Sequence, residues 1–171
     1  MLDQKLRVLH TEQGRLADVA RGTLVAWREK QADADRWVLR AVLLGGRAAL
    51  DVDAARPAEL SVSWAVTVGV RHPASAELTV PGWEAPCSAA TVRAHDAVAK
   101  AAAAAAAHAV AARALREIEA ELRMTALRVR SLRRHWLPRL TDALASVEFE
   151  LEEQERAETV RRRWASRGTT R

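Results

Sequence analysis

From Leu115 to Leu151 the apolar positions follow intervals of three and four: Leu115, Ile118, Leu122, Thr125, Val129, Leu132, Trp136, Leu140, Leu144, Val147 and Leu151. Such intervals keep side chains on one stripe of an α-helix, and a stripe sustained over several heptads predicts a coiled-coil seam. The alternation slips once. Trp136, Leu140 and Leu144 are two successive steps of four, and Pro138 lies between them. An added step of four is a stutter, which locally unwinds a left-handed supercoil. Proline removes one backbone hydrogen bond and bends a helix, at a cost of about 3 kcal/mol in a helix interior. Two readings remain open: a plain break between two helices, or one continuous helix kinked at Pro138. The seam resumes at once on the far side, which favours the kink.

A matching seam opens the chain. Leu2, Leu6, Leu9, Gln13, Leu16, Ala20, Thr23, Trp27, Lys30, Ala34 and Trp37 alternate in steps of three and four, weakened at Gln13, Thr23 and Lys30. Gly22 is a soft point in this helix, and Gly45-Gly46 ends it. Hydrophobic residues make up 49 % of the chain but aromatics only 4 %. Much of that apolar content is alanine, including the run 101–107, so a thin helix–helix seam fits better than a thick globular core. An unbroken helix over 88–165 would be about 115 Å long and needs a partner to stay dry. The N-terminal helix, running back antiparallel, is the obvious one. The expected fold is therefore mainly α: a long, elongated antiparallel two-helix coiled coil of the N- and C-terminal helices, with a small β-hairpin insert where the chain turns. The segments are 1–44 (first coiled-coil helix), 45–87 (insert), 88–165 (long C-terminal helix, capped by Ser88 or Thr91) and 166–171 (basic tail).

The insert follows from Pro57, Pro73, Pro81 and Pro86, which exclude long helices between 45 and 88. ELSVSWAVTVGVRH (59–72) alternates and is rich in Val, Ser and Thr, so it reads as a strand. SAELTV (75–80) is its expected partner, with the turn across Pro73.

Chemistry is hard to place on this chain. It contains no GxxxxGK[ST], HExxH, GxSxG or GxGxxG pattern. The five histidines lack ligand spacing, and Cys87, the single cysteine, allows no intrachain disulfide and no CxxC site. No catalytic residue, metal or cofactor is expected, and the chain is not read as an enzyme by itself. The opening MLDQKLRVLH lacks an apolar signal core, and the alanine run is too short and too weakly hydrophobic to span a bilayer. A reducing compartment and no direct membrane insertion are expected.

The net charge is +5, which favours an acidic partner. Arginines line the segment from Arg113 to Arg139, Arg128, Arg130, Arg134 and Arg139 among them. An acidic block, Glu148 to Glu158, follows. Solvation of an alanine-rich helix explains such arginines in part. Guanidinium groups on a rigid helix also make bidentate contacts with acidic loops of a surrounding protein. Nucleic-acid binding would need an uninterrupted basic stripe or a reading module, and the glutamates interrupt the stripe, so no nucleic-acid partner is expected.

ELRMTALRVRSLR (121–133), WLPRL (136–140) and LEEQERAE (151–158) resemble the C-terminal pattern of the D subunits of V-type and A-type rotary ATPases. Glu121, Thr125, Arg128, Val129, Leu132, Pro138, Arg139, Leu140, Leu151, Glu153, Glu155 and Arg156 fall on matching positions. GVRHP (69–73), with Gly69, Val70 and Pro73, resembles an element of the family's middle region, and ARGTLVAWREK (20–30) is a weaker echo near the N-terminus. Met124, Leu127, Arg130 and Arg133 depart from the pattern. The resemblance implies a non-catalytic central-stalk rotor subunit that transmits torque between a nucleotide-processing ring and an ion-translocating membrane rotor. It implies as partners the catalytic and non-catalytic ring subunits, the small F subunit of the stalk and a membrane-rotor adaptor, and a place on the cytoplasmic face of the cell membrane. Ring contacts are then expected from Arg128, Arg130, Arg134, Arg139, Glu153 and Arg156. The alternative is a structural coiled-coil adaptor with no motor role; a basic nucleic-acid-binding helical protein ranks third.

Overall fold

The computed structural model describes residues 2–46, 57–81 and 88–168. Cys87 and the last three residues of the expected tail lie outside them. In chain order the elements are α1 (Leu2–Gly45), β1 (Glu59–Thr67), β2 (Val70–Thr79), α2 (Ala89–Ser131), a π turn (Leu132–Trp136) and α3 (Leu137–Gly168). The protein is mainly helical, with long N- and C-terminal helices and a two-stranded antiparallel hairpin between them in sequence. The chain divides into two compact units, residues 1–124 and 125–171.

In the first unit α1 and α2 pair antiparallel. Leu9 and Leu16 pack with Ala114 and Ile118; Ala34 packs with Ala97 and Ala101; Ala41 packs with Ala90 and Ala94. The seam thus grades from leucine and isoleucine at one end to alanine on both sides at the other. Small residues on facing helices allow close approach, which is how the alanine tract finds its burial. The seam's polar positions are bonded rather than buried bare. Gln13 Nε2 donates to Glu119 Oε1 at 3.4 Å. Thr23 Oγ1 lies 3.3 Å from His108 Nδ1, and that ring stacks on Trp27 with centroids 5.7 Å apart. Lys30 is exposed, so the stripe passes over it without using it.

Both helix ends near the insert are capped. Gly46 takes φ +69° and its N–H donates to Val42 O at 2.9 Å, the left-handed C-terminal cap that glycine allows without steric cost. Ser88, rather than Thr91, caps α2: its Oγ accepts from the Thr91 N–H at 3.2 Å. Thr91 is fully buried, its hydroxyl 2.7 Å from Ser88 Oγ.

The hairpin differs from the sequence expectation in two respects. Its turn is Val68-Gly69, not Pro73. Both residues have positive φ (51° and 83°), as a two-residue type I′ loop requires. Val-Gly is an unusual pair for that turn, because a β-branched residue resists positive φ, so 59–72 reads as one uninterrupted strand. Pro73 instead sits beside a bulge. The register passes from Ser63↔Ser75 to Trp64↔Pro73, leaving Ala74 unpaired. Proline, which has no N–H for the ladder, is tolerated there. The second difference is location. Val70 packs on the Leu9–Leu16–Ala114–Ile118 cluster. The hairpin therefore lies back along the helix pair instead of standing where the chain turns. Leu16 is about 44 Å along α1 from Gly45, at 1.5 Å per residue. Burial drives the fold-back: His72 and Pro73 become buried against α1 and α2, which two strands alone could not achieve.

In the second unit Thr125 and Val129 are buried, and every described side chain from Arg130 to Ala165 is exposed. The expected continuation of the paired seam beyond Val129 is not formed by these residues: Leu140, Leu144 and Leu151 are 61, 58 and 54 % exposed.

Candidate functional site

Helical backbone runs without interruption through the proline. Ser131 (φ −62°, ψ −45°) and Leu137 (φ −57°, ψ −52°) are both helical, and the Leu137 N–H donates to Leu132 O. That i→i−5 bond widens the turn just before Pro138, which would have had no N–H to offer Arg134 O. A wide turn holds one residue more than an α-turn, and this takes up the phase slip of two successive four-residue steps. Just downstream, Thr141 Oγ1 donates to Leu137 O at 2.9 Å.

The expected contact residues distribute around this turn. Arg128 and Arg130 occupy the last turn of α2, Arg134 the π turn, and Arg139 the first turn of α3; all are exposed. Glu153 and Arg156 are brought together, with Arg156 Nη1 3.1 Å from Glu153 Oε1 and its Nη2 3.2 Å from Glu152 Oε2. Arg162 pairs with Glu158 at 2.6 Å. These are surface pairs one turn apart, each worth a few tenths of a kcal/mol and readily exchanged for outside partners. Trp136, Leu137, Leu140, Phe149 and Trp164 stand between the charges, each more than half exposed. This mixture of bare apolar side chains and loosely held charges suits docking of another macromolecule.

Gly69, Val70 and Pro73 are the turn, the core anchor and the bulge of the hairpin. The hairpin also carries a surface that the motif reading passed over: Leu60, Val62, Trp64 and Val66 alternate along β1 and are 37–68 % exposed, with Arg71 stacked 4.7 Å over Trp64. Strict alternation in ELSVSWAVT signals two faces; it does not say which one stays open. The other face meets α1 and α2 across a cleft of about 380 Å³ bordered by Glu12, Arg15, Thr23 and His72. His72 is 4 % exposed, with Nδ1 donating to Pro73 O at 3.1 Å and Nε2 3.0 Å from Thr67 Oγ1. Arg15 donates twice to Glu12, at 2.9 and 2.6 Å, holding that carboxyl below its ordinary range and raising the guanidinium's own pKa in return.

The first unit is a pair of packed helices that carries the hairpin, and the second unit presents an exposed, charge-patterned helix. The family of ATP synthase D subunits matches residues 1–167, and the chain belongs to that family. It is thus a non-catalytic stalk subunit of a rotary ATPase, working within that complex and peripheral to its membrane part. No curated protein matches the chain.

Proposed function

We propose that the protein is the central rotor shaft of a V/A-type ATPase or ATP synthase. It transmits torque between the ATP-hydrolysing or ATP-synthesising ring and an ion-translocating membrane rotor on the cytoplasmic face. The match over residues 1–167 carries this reading. The exposed run Arg130–Ala165 supports it, because a segment that bears on a surrounding ring must present its own side chains outward.

In this reading the shaft makes no chemical bond. An asymmetric helical element contacts each position of the ring differently, so turning it changes the relative stability of open and closed nucleotide sites. Arg128, Arg130, Arg134 and Arg139 meet acidic loops of the catalytic and non-catalytic subunits, and Glu153 and Arg156 add contacts further along. Pro138 and the wide turn set the helix curvature in that region. The small F subunit of the stalk and a membrane-rotor adaptor complete the partner set.

The test is reconstitution. Arg128→Ala with Arg139→Ala should lower ATP-driven ion transport per ATP hydrolysed while leaving the chain's recovery with the ring largely intact. Unchanged coupling, or failure of the unaltered chain to co-purify with ring subunits, rejects the shaft reading.

A further inference from the structure

The alanine stretch of the α1–α2 seam does not fix its own register. Ala34 packs with Ala97 and Ala101, and Ala41 with Ala90 and Ala94. Sliding α1 by one heptad toward the start of α2 sets Ala34 against Ala90 and Ala94. It sets Leu9 and Leu16 against Ala107 and Ala111 in place of Ala114 and Ile118, and brings Ile118 level with Leu6. Every one of these contacts stays apolar, so the heptad pattern separates the two registers only weakly. The opposite slide sets Glu121 against Leu9 and Leu16 and is excluded by the cost of burying that carboxylate.

One layer within that stretch is different. Thr23 Oγ1 lies 3.0 Å from Val19 O and 3.1 Å from Ala20 O, so the hydroxyl's one proton turns back to its own helix. Its oxygen is left to accept from the His108 Nδ1–H at 3.3 Å. The His108 ring stacks on Trp27, with centroids 5.7 Å apart and 16° between the planes. After the slide Thr23 and Trp27 face Ala101, while His108 faces Leu16 and Ala20. Neither the hydrogen bond nor the stack then has a substitute, and the half-buried ring and hydroxyl lose each other as partners. The other polar pairs across the seam, Lys5 with Glu121 and Gln13 with Glu119, join long, partly exposed side chains that re-pair readily. We propose that the Thr23–Trp27–His108 layer is the key that holds α1 and α2 in a single axial register, in the way one polar position specifies register in a coiled coil. Val70 seats on a cluster that both helices build, so the layer also keeps the hairpin's seat whole. This role goes beyond the shaft reading and does not depend on it.

Disulfide mapping on the full chain, in a Cys87→Ser background, tests it. Ala34→Cys with Ala97→Cys reports the observed register, and Ala34→Cys with Ala90→Cys the shifted one. With the layer intact, the 34–97 bridge should close on oxidation and the 34–90 bridge should form only in traces. His108→Ala should raise the 34–90 product roughly tenfold or more, the ratio that loss of one hydrogen bond and one ring stack corresponds to. Thr23→Val with Trp27→Leu removes the same layer from the other helix and should have the same effect. Ala114→Gly, which loosens the seam but keeps the layer, should leave the 34–90 product at traces. A 34–90 bridge as ready as 34–97 in the intact layer, no rise in the layer variants while they stay helical, or an equal rise with Ala114→Gly would each overturn the proposal. Loss of helicity in both layer variants would overturn it too, making the layer a folding requirement rather than a register key.

Discussion

At the scale of single residues, the effects are set by what each side chain touches. Ile118 is fully buried in the cluster with Leu9, Leu16 and Ala114. Ile118→Ala should lower the unfolding free energy by about 2–5 kcal/mol in denaturant titration, from lost burial plus the cavity left behind. Gly22 sits within α1 with open space where a Cβ would go. Gly22→Ala should therefore raise stability by about 1 kcal/mol, the ordinary helix-propensity difference. Glu12 gives a pH signature. Its carboxyl is depressed chiefly by the hydrogen bonds from Arg15, with burial acting in the opposite direction and the charges of Arg15 and His72 adding to the lowering. A depressed folded pKa contributes stability above the unfolded carboxylate pKa of about 4.3. That contribution is lost as pH falls through the folded value. Glu12→Gln should lower the thermal midpoint modestly at neutral pH, by less than about 1 kcal/mol equivalent, and the difference should vanish in acid.

Elements test how local signals combine. Helix existence and periodicity were readable, because intervals of three and four sustained over tens of residues have no other regular solution. Leu9, Leu16, Ala20 and Ala34 are buried as the stripe requires. The hairpin was readable as two strands but not in its register. Val68 adopts positive φ against its preference, and the alternation of ELSVSWAVTVGVRH runs through the turn without a break. Val68→Asn should relieve that strain and stabilise the hairpin by about 1 kcal/mol, read from the unfolding midpoint; no change would mean that the backbone there is not strained. Pro138 was readable as a disturbance, yet its form was not. A missing N–H can give a break, a bend or a wide turn, and here the Leu137 N–H reaches back to Leu132 O. Pro138→Ala supplies a donor for Arg134 O. It should return the turn to α geometry, visible as slower amide exchange across 134–142.

On the scale of the whole molecule, burial is distributed unequally. The first unit holds the three core clusters, while described side chains beyond Val129 are all exposed. Amides of 140–165 should exchange far faster than those of 9–20 and 111–118, because helices without tertiary packing are marginal in water. Equal protection would contradict this. The sequence by itself determined the helical class, the insert and its strand content, the stop of α1 at Gly45-Gly46, and the family, since each depends on local periodicity, turn chemistry or ordered motif residues; the choice of Ser88 over Thr91 as the cap of α2 came from the structure. Only the tertiary structure decided that the hairpin folds back onto Leu9, Leu16, Ala114 and Ile118, and that the seam beyond Val129 stays bare. A stripe specifies which side chains seek cover. Which surface supplies that cover depends on chain segments remote in sequence, and a local pattern carries no record of them.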